Sequence, residues 1–336
     1  MDRRPIFFET MHPVFVLLHA GYLLRTALDL RLPDLVGEEP ASVAELAQTA
    51  GLNADLTHRL FRALSVAGVF RRTGPDTYAH NEFSLLLRAD SGDAAAAVVN
   101  TFLKPDWTWQ VWASLTDGVR TGTSPFSSVH GNDFYTFLGR SPEVAENFGR
   151  TMTLTLGDTN PAVADAADLD GVHHVVDVGG GQGTLLREVL QRHPEMRGTL
   201  FDIEAALAEV DAELRTGALA GRCAIVTGDA RESVPAADAY LLRMVLHNWD
   251  DDTCVRMLSR CAEAGNPGAR VFVVEMLRTD EEHSFVPLMD LQMFLLVGGK
   301  ERDEEEFAAL FERAGLRFRG VRATSTALHV VEARCG

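Results

Sequence analysis

Val175-Val176-Asp177-Val178-Gly179-Gly180-Gly181-Gln182-Gly183 is an apolar run that breaks into glycines. The run reads as a β-strand, the glycines as a tight turn, and Thr184 onward as the start of a helix. Free amides at such a helix start favour negative charge. The dinucleotide fingerprint G-x-G-x-x-G fails, because its third glycine would fall at Thr184 in one register and at Leu186 in the other. The glycines alone fit a ligand loop or a tight structural turn.

Outward from this stretch, strands and helices alternate. Strands are expected at 175–178, 199–202, 223–227, 239–246 and 270–275, and helices near 184–192, 204–216 and 251–264. That order predicts a doubly wound α/β sheet, whose ligands bind beyond the carboxyl ends of the strands. Three strand ends carry acids in succession: Asp177 before Gly179 and Gly181, then Asp202, then Asp229 after Gly228. Asp202 can accept the two ribose hydroxyls, and Asp229 the adenine amino group. Each acid alone is more often a cap or a solvated turn residue. Together they describe a nucleoside pocket without a diphosphate clamp, which suits S-adenosylmethionine.

Toward the N-terminus the pattern is helical. Ser42-Val43-Ala44-Glu45 reads as a capping box, Gly51 as a helix end and Asn53 as the next cap. Leu56, Leu60, Leu64 and Ala67 follow on one helical face. Residues 69–72 and 77–79 flank Thr73-Gly74-Pro75-Asp76 and read as a hairpin, which completes a winged helix. Residues 96–170 remain helical, with Trp107, Trp109 and Trp112 close together and a helix starting near Ser141-Pro142. Core packing is the plainer reading of each tryptophan, an aromatic binding wall the other.

Composition narrows the class. The 336 residues carry a net charge of −17 and 46% hydrophobic residues, so two ordinary domains are possible and phosphate backbones and anionic lipid are poor partners. On charge the winged helix is read as a dimerisation and lid domain, not a DNA reader. No run approaches the ~20 apolar residues of a membrane span. The interrupted run around Val14-Phe15-Val16-Leu17-Leu18, behind Arg3-Arg4, reads as an amphipathic helix and not as a signal peptide. Around 14–30 it is apolar enough to expect a homodimer interface. Cys223, Cys254, Cys261 and Cys335 have no metal-ligand spacing, so reduced thiols, no metal and a cytoplasmic location are expected.

One block remains: Tyr240-Leu241-Leu242-Arg243-Met244-Val245-Leu246-His247-Asn248-Trp249-Asp250-Asp251, with Gly298-Gly299-Lys300-Glu301-Arg302 further on. With the glycine turn and Gly228-Asp229, nearly the whole chain resembles the small-molecule S-adenosylmethionine-dependent O-methyltransferases, the family of plant caffeic acid O-methyltransferases and bacterial antibiotic-tailoring enzymes. The resemblance implies a class I methyltransferase Rossmann-like sheet (96–336, with 96–170 a helical acceptor-site and linker part) behind a helical winged-helix dimerisation domain (1–95). It implies that Asp177, Gly179 and Gly181 hold the methionine part of the cofactor. Asp202, Asp229, Ala230, Arg243 and Trp249 would contact the rest. His247 would be the general base, flanked by Glu275 and Glu301, and Met152, Asn248, Gln292 and Met293 would border an aromatic acceptor. The chain departs from the pattern at Ala230-Arg231, where an aromatic pair is usual, at Glu204 in place of proline, and at Asp303 in place of threonine.

The implied reaction is methylation of a phenol. A phenol has a pKa near ~10 and a histidine near ~6.5, so a neutral imidazole can take the proton that makes the oxygen nucleophilic. A carboxylate on the other ring nitrogen would fix the tautomer, as in the serine protease triad. Asp250 and Asp251 are read as helix caps. Phenazine, polyketide and phenylpropanoid acceptors stay open. So do N- or C-methylation of a similar scaffold, and a non-catalytic winged-helix regulator. A nicotinamide oxidoreductase is opposed by the missing glycine.

Overall fold

The computed structural model describes residues 4–279 and 285–336, so Arg3 lies outside the described residues. The described chain divides into two compact units. One comprises residues up to Trp109 together with Glu146–Thr155, and the other Gln110–Ala145 and Leu156–Gly336.

The first unit begins with a helix, Arg4–Asp29. Its later turns bury Leu24, Ala27 and Leu28, whereas Phe15, Leu17, Leu18 and Tyr22 are more than half exposed. Gly21 lies where a Cβ would meet the Trp109 ring at 2.6 Å, and Tyr22 stacks on that ring at 4.8 Å between centroids. Three short strands, β1 (Ala41–Ser42), β2 (Arg71–Arg72) and β3 (Thr77–Ala79), form a sheet in the order β1-β3-β2. Helices Val43–Ala50 and Ala54–Val66 precede the β2–β3 hairpin, giving the expected helix, turn, helix and wing. Gly51 closes the first helix at φ 67°, and Asn53 caps the second by accepting the Leu56 N–H at 2.9 Å.

Two local expectations fail here. Ser42 makes no side-chain cap bond; paired with Thr77 across the small sheet, its hydroxyl donates to Asp76 at 3.1 Å instead. The buried stripe of helix Ala54–Val66 is Thr57, Phe61 and Leu64, and Leu56 is 60% exposed. The Phe61 ring, against Phe70 and Tyr78, sets the rotation of that helix.

The second unit is built on a seven-stranded sheet. Its strands are β4 (His174–Val178), β5 (Arg197–Asp202), β6 (Cys223–Thr227), β7 (Ala239–Arg243), β8 (Arg270–Met276), β9 (Leu316–Ala323) and β10 (Leu328–Cys335). They lie in the order β6-β5-β4-β7-β8-β10-β9. The first five pair in parallel, and β10 runs antiparallel between β8 and β9. The direction of winding reverses between β4 and β7, which places a ligand crevice beyond their carboxyl ends. Both faces are covered by apolar clusters. Val176, Tyr240, Leu242, Val271 and Val273 face one, and Val175, Leu200, Leu241, Phe272 and Val274 the other. Cys254, Cys261 and Cys335 are buried as free thiols and Cys223 is half-buried.

Two predicted elements come out shorter. The expected helix 204–216 is a series of turns followed by a single-turn helix, Ala212–Arg215. Asp211 is drawn to the glycine turn, its N–H donating to the Gln182 carbonyl at 2.9 Å, and its carboxylate restarts the helix by accepting the Glu213 N–H. The expected strand 239–246 stops at Arg243, because Met244 adopts φ 53° and Leu246–Asn248 wind into one 3-10 turn.

Candidate active site

The glycine turn is shaped by contact as much as by conformation. Gly179, Gly181 and Gly183 all have positive φ. A Cβ on Gly179 would meet Val245 at 2.7 Å and one on Gly183 would meet Leu214 at 2.5 Å, whereas one on Gly181 would meet nothing within 4 Å. Gly181 is therefore the member that opens outward. Its N–H donates to Asp202 at 2.9 Å, so the end of β5 and the turn after β4 are tied together. Asp177 is buried beneath this turn, and one of its carboxylate oxygens has no hydrogen-bond partner among the described residues. Burial raises its pKa to about 6, opposed by the nearby Arg243. Burial in turn lowers the pKa of Arg243, opposed by Asp177. The Arg243 guanidinium bonds Asn160 and reaches Thr184 at 3.3 Å.

Asp229 has a different setting. Arg231 grips both of its oxygens, Nη2 at 2.6 Å, and holds its pKa low. The same guanidinium lies 4.8 Å above the centre of the Trp249 ring, and Tyr135 stacks on Trp249 at 6.1 Å. The departure at Ala230-Arg231 thus puts a cation on the tryptophan face. Ala230 packs, half-buried, against the core.

His247 sits on the 3-10 turn that follows β7 and is 6% exposed. The turn exists because one oxygen of Glu275, on β8, accepts the N–H groups of Val245, Leu246 and His247 at 3.1, 2.9 and 3.3 Å. The His247 Nδ1–H donates to Glu301 at 2.9 Å, and the second Glu275 oxygen is 3.7 Å from the same nitrogen. A carboxylate only accepts, so Nδ1 carries the proton and neutral His247 keeps its lone pair on Nε2. Burial pushes the His247 pKa down, but Glu275 and Glu301 outweigh it and the net shift is upward. Burial likewise raises the pKa of Glu275. The three ligating atoms lie within 4.8 Å of one another, a spacing that a cation could also use.

The predicted acceptor residues spread out. The Asn248 amide donates to the carbonyls of Met244 and Val245, so it locks its own turn. Gln292 accepts from the Trp112 indole at 2.9 Å, and Met293 is buried on the same helix, Val286–Val297. Met152 lies on the Glu146–Thr155 segment, which groups with the first unit. Sequence reasoning gave no role to Tyr135, Asn160, Thr184 or Arg302; Thr184 and Arg302 adjoin the glycine turn and Glu301, whereas no local pattern marks Tyr135 or Asn160.

Comparison with known proteins settles the family. Residues 112–317 match the model of the O-methyltransferase domain, and residues 17–90 that of the O-methyltransferase dimerisation domain. The chain belongs to the O-methyltransferase family. This methyltransferase is 38% identical to the mitomycin biosynthesis 6-O-methyltransferase of Streptomyces lavendulae over 92% of its own length and 89% of that protein. The solved structure of the mitomycin 7-O-methyltransferase MmcR matches with a TM-score of 0.90 and 35% identity, covering 99% of each chain. The O-methyltransferase NcsB1, solved with S-adenosylmethionine and 2-hydroxy-5-methyl naphthoic acid, matches with a TM-score of 0.80 and 32% identity over 94% of this chain and 96% of that one.

The enzyme is thus an S-adenosylmethionine-dependent O-methyltransferase, and its own residues fit that cofactor. The open face of Gly181, the unpartnered oxygen of buried Asp177 and the acid ending β5 form a cradle suited to an ammonium and a diol. No helix among the described residues is long and apolar enough to cross a membrane.

Proposed function

We propose that this enzyme methylates a phenolic hydroxyl of an aromatic natural product, with His247 as the general base. The observation that carries the reading is the buried imidazole whose Nδ1–H is committed to Glu301. S-adenosylmethionine supplies an electrophilic methyl group. Asp177, Gly179 and Gly181 would hold its methionine part and Asp202 its ribose, with Arg243 and Trp249 beside them. On the adenine side, Asp229 can serve once Arg231 yields one of the carboxylate oxygens that it grips. Asn248, Gln292 and Met293 are assigned to the acceptor side.

The residues divide the chemistry as follows. His247 Nε2 takes the phenol proton as the oxygen attacks. Glu301 holds the ring in the tautomer that can do so and stabilises the imidazolium that forms. Glu275 shapes the backbone that carries the histidine. Proton removal by a placed base is worth about 10²–10⁴-fold, and alignment of acceptor and methyl supplies more. Because the carboxylates raise the His247 pKa, activity should rise along a limb above about pH 6.5 as the ring loses its proton.

His247→Gln is expected to lower kcat by roughly 10²–10⁴-fold and to abolish that limb. Calorimetric titration with S-adenosylhomocysteine should show one site per chain in both proteins. Wild-type turnover in the variant would rule the base out. The buried triad is read as a proton site and not a metal site, since Nδ1 already bonds Glu301 and one Glu275 oxygen holds three N–H groups. Turnover should survive exhaustive chelation; loss restored by a divalent cation would reverse that assignment. The exposed stripe Phe15, Leu17, Leu18 and Tyr22, within a helix that runs into the dimerisation-domain match, is read as covered by a second copy. Residues 1–95 would then be the dimerisation part, and 96–336 the catalytic part.

A further inference from the structure

The largest of the fully buried side chains is a cation, Arg302, which is 1% exposed. It follows Glu301 in the chain, and its guanidinium points back at the segment that carries His247. Nη1 donates to the Leu246 carbonyl at 3.1 Å, Nη2 to the Trp249 carbonyl at 2.8 Å, and Nε and Nη2 to Asp251 at 3.0 and 2.7 Å. These contacts straddle His247 on both sides. The Lys300 N–H donates to the His247 carbonyl at 3.0 Å, and the Arg302 carbonyl accepts the Arg278 N–H just beyond β8. Gly299 seals the join, since a Cβ there would lie 1.9 Å from the His247 carbonyl oxygen. The Arg302 side chain thus fastens the loop that follows helix Val286–Val297 to the segment after β7, and its backbone carbonyl ties the same loop to the end of β8.

We propose that Arg302 is a positioning residue for the transfer step, holding the His247 turn and the Trp249 backbone in register with Glu301. The inference rests on the reading of His247 as the base. A planar fork with four hydrogen bonds fixes direction as well as distance, which a lysine ammonium cannot do. Arg302 also acts through charge. His247 faces Glu275 from β8 and Glu301 and Arg302 from the G-G-K-E-R loop. Asp251 and Cys254, from the following helix, approach Arg302 and the Leu246 carbonyl, and Asp290 accepts the Glu301 N–H. Among these groups Arg302 is the cation that opposes the two carboxylates, whose pull still leaves the His247 pKa raised.

The test compares Arg302→Lys, Arg302→Met and His247→Gln in the full-length enzyme. The first two are expected to lower kcat by about 10-fold or more with little change in acceptor KM, because misplacement by a fraction of an ångström acts on alignment. In Arg302→Met, which lacks the charge, the acid limb of the rate profile should move up, and in Arg302→Lys it should stay. NMR titration of the His247 imidazole without cofactor, its signal identified by its loss in His247→Gln, should show the same contrast. Should Arg302→Met fail to fold, the kcat of Arg302→Lys decides. Wild-type kcat in Arg302→Lys, or an unmoved His247 titration in a folded Arg302→Met, overturns the proposal while an inactive His247→Gln leaves the base standing. An active His247→Gln removes the base reading itself.

Discussion

At the scale of single residues, the site depends on buried charges that are only partly compensated. Asp177 is the clearest case. Its pKa is raised to about 6 in the folded protein, from an ordinary carboxylate value, by burial. A group shifted in this direction contributes stability that is present at low pH and is lost as pH rises through the folded value. Relative to Asp177→Asn, the wild type should therefore lose on the order of 1 kcal/mol between about pH 5 and pH 8, measured by urea unfolding at each pH. A flat difference across that range would mean that the acid is ionised throughout. His247 shows the opposite balance of causes, with two carboxylates overcoming burial. The acids themselves were legible in the sequence, because each lies within or just after an apolar run. The position of Arg302 was visible in the G-G-K-E-R block but its burial was not, since nothing local distinguishes a buried arginine from a solvated one.

At the scale of elements, loops that look unremarkable in sequence turn out to be joints. Asp303, a departure from the family pattern, caps helix Glu304–Arg313. It accepts the Glu306 N–H at 2.9 Å while Glu306 accepts the Asp303 N–H in return, and it also takes a bond from Arg278. Asp303→Ala should cost about 1 kcal/mol and lower Tm by a few degrees in a scanning-calorimetry comparison. An unchanged Tm would show the cap to be idle. Gly299→Ala must displace either its own loop or the His247 turn and should destabilise by about 2 kcal/mol or more. The periodicity of β4 to β8 was readable because parallel strands buried on both faces are continuously apolar. The ends of those strands were less so. Nothing local announces that Met244 turns to positive φ, because the cause lies on β8, where Glu275 collects three amides. The same holds for 204–216, where a helical composition yields to the Asp211 tether.

At the scale of the molecule, the two-part organisation and the order of the sheet follow from an alternation visible along the chain. The lone antiparallel strand β10 and the segment 146–155 that rejoins the first unit do not. The exposed stripe on the first helix gives a further expectation. Leu17→Glu combined with Leu18→Glu should convert a dimer to a monomer by light scattering, and a wild type that is already monomeric would discard the assembly proposed here. The thiols allow this molecule to be followed without any engineered probe site. Cys254, Cys261 and Cys335 lie buried in one apolar cluster on the side of β8 that contains Phe311 and Leu316. Burial raises the pKa of each, which keeps them unreactive while the sheet is closed. A brief pulse of alkylating reagent should mark Cys223 first and the other three only in molecules that have opened, so the enzyme carries its own clock for the breathing of its catalytic half.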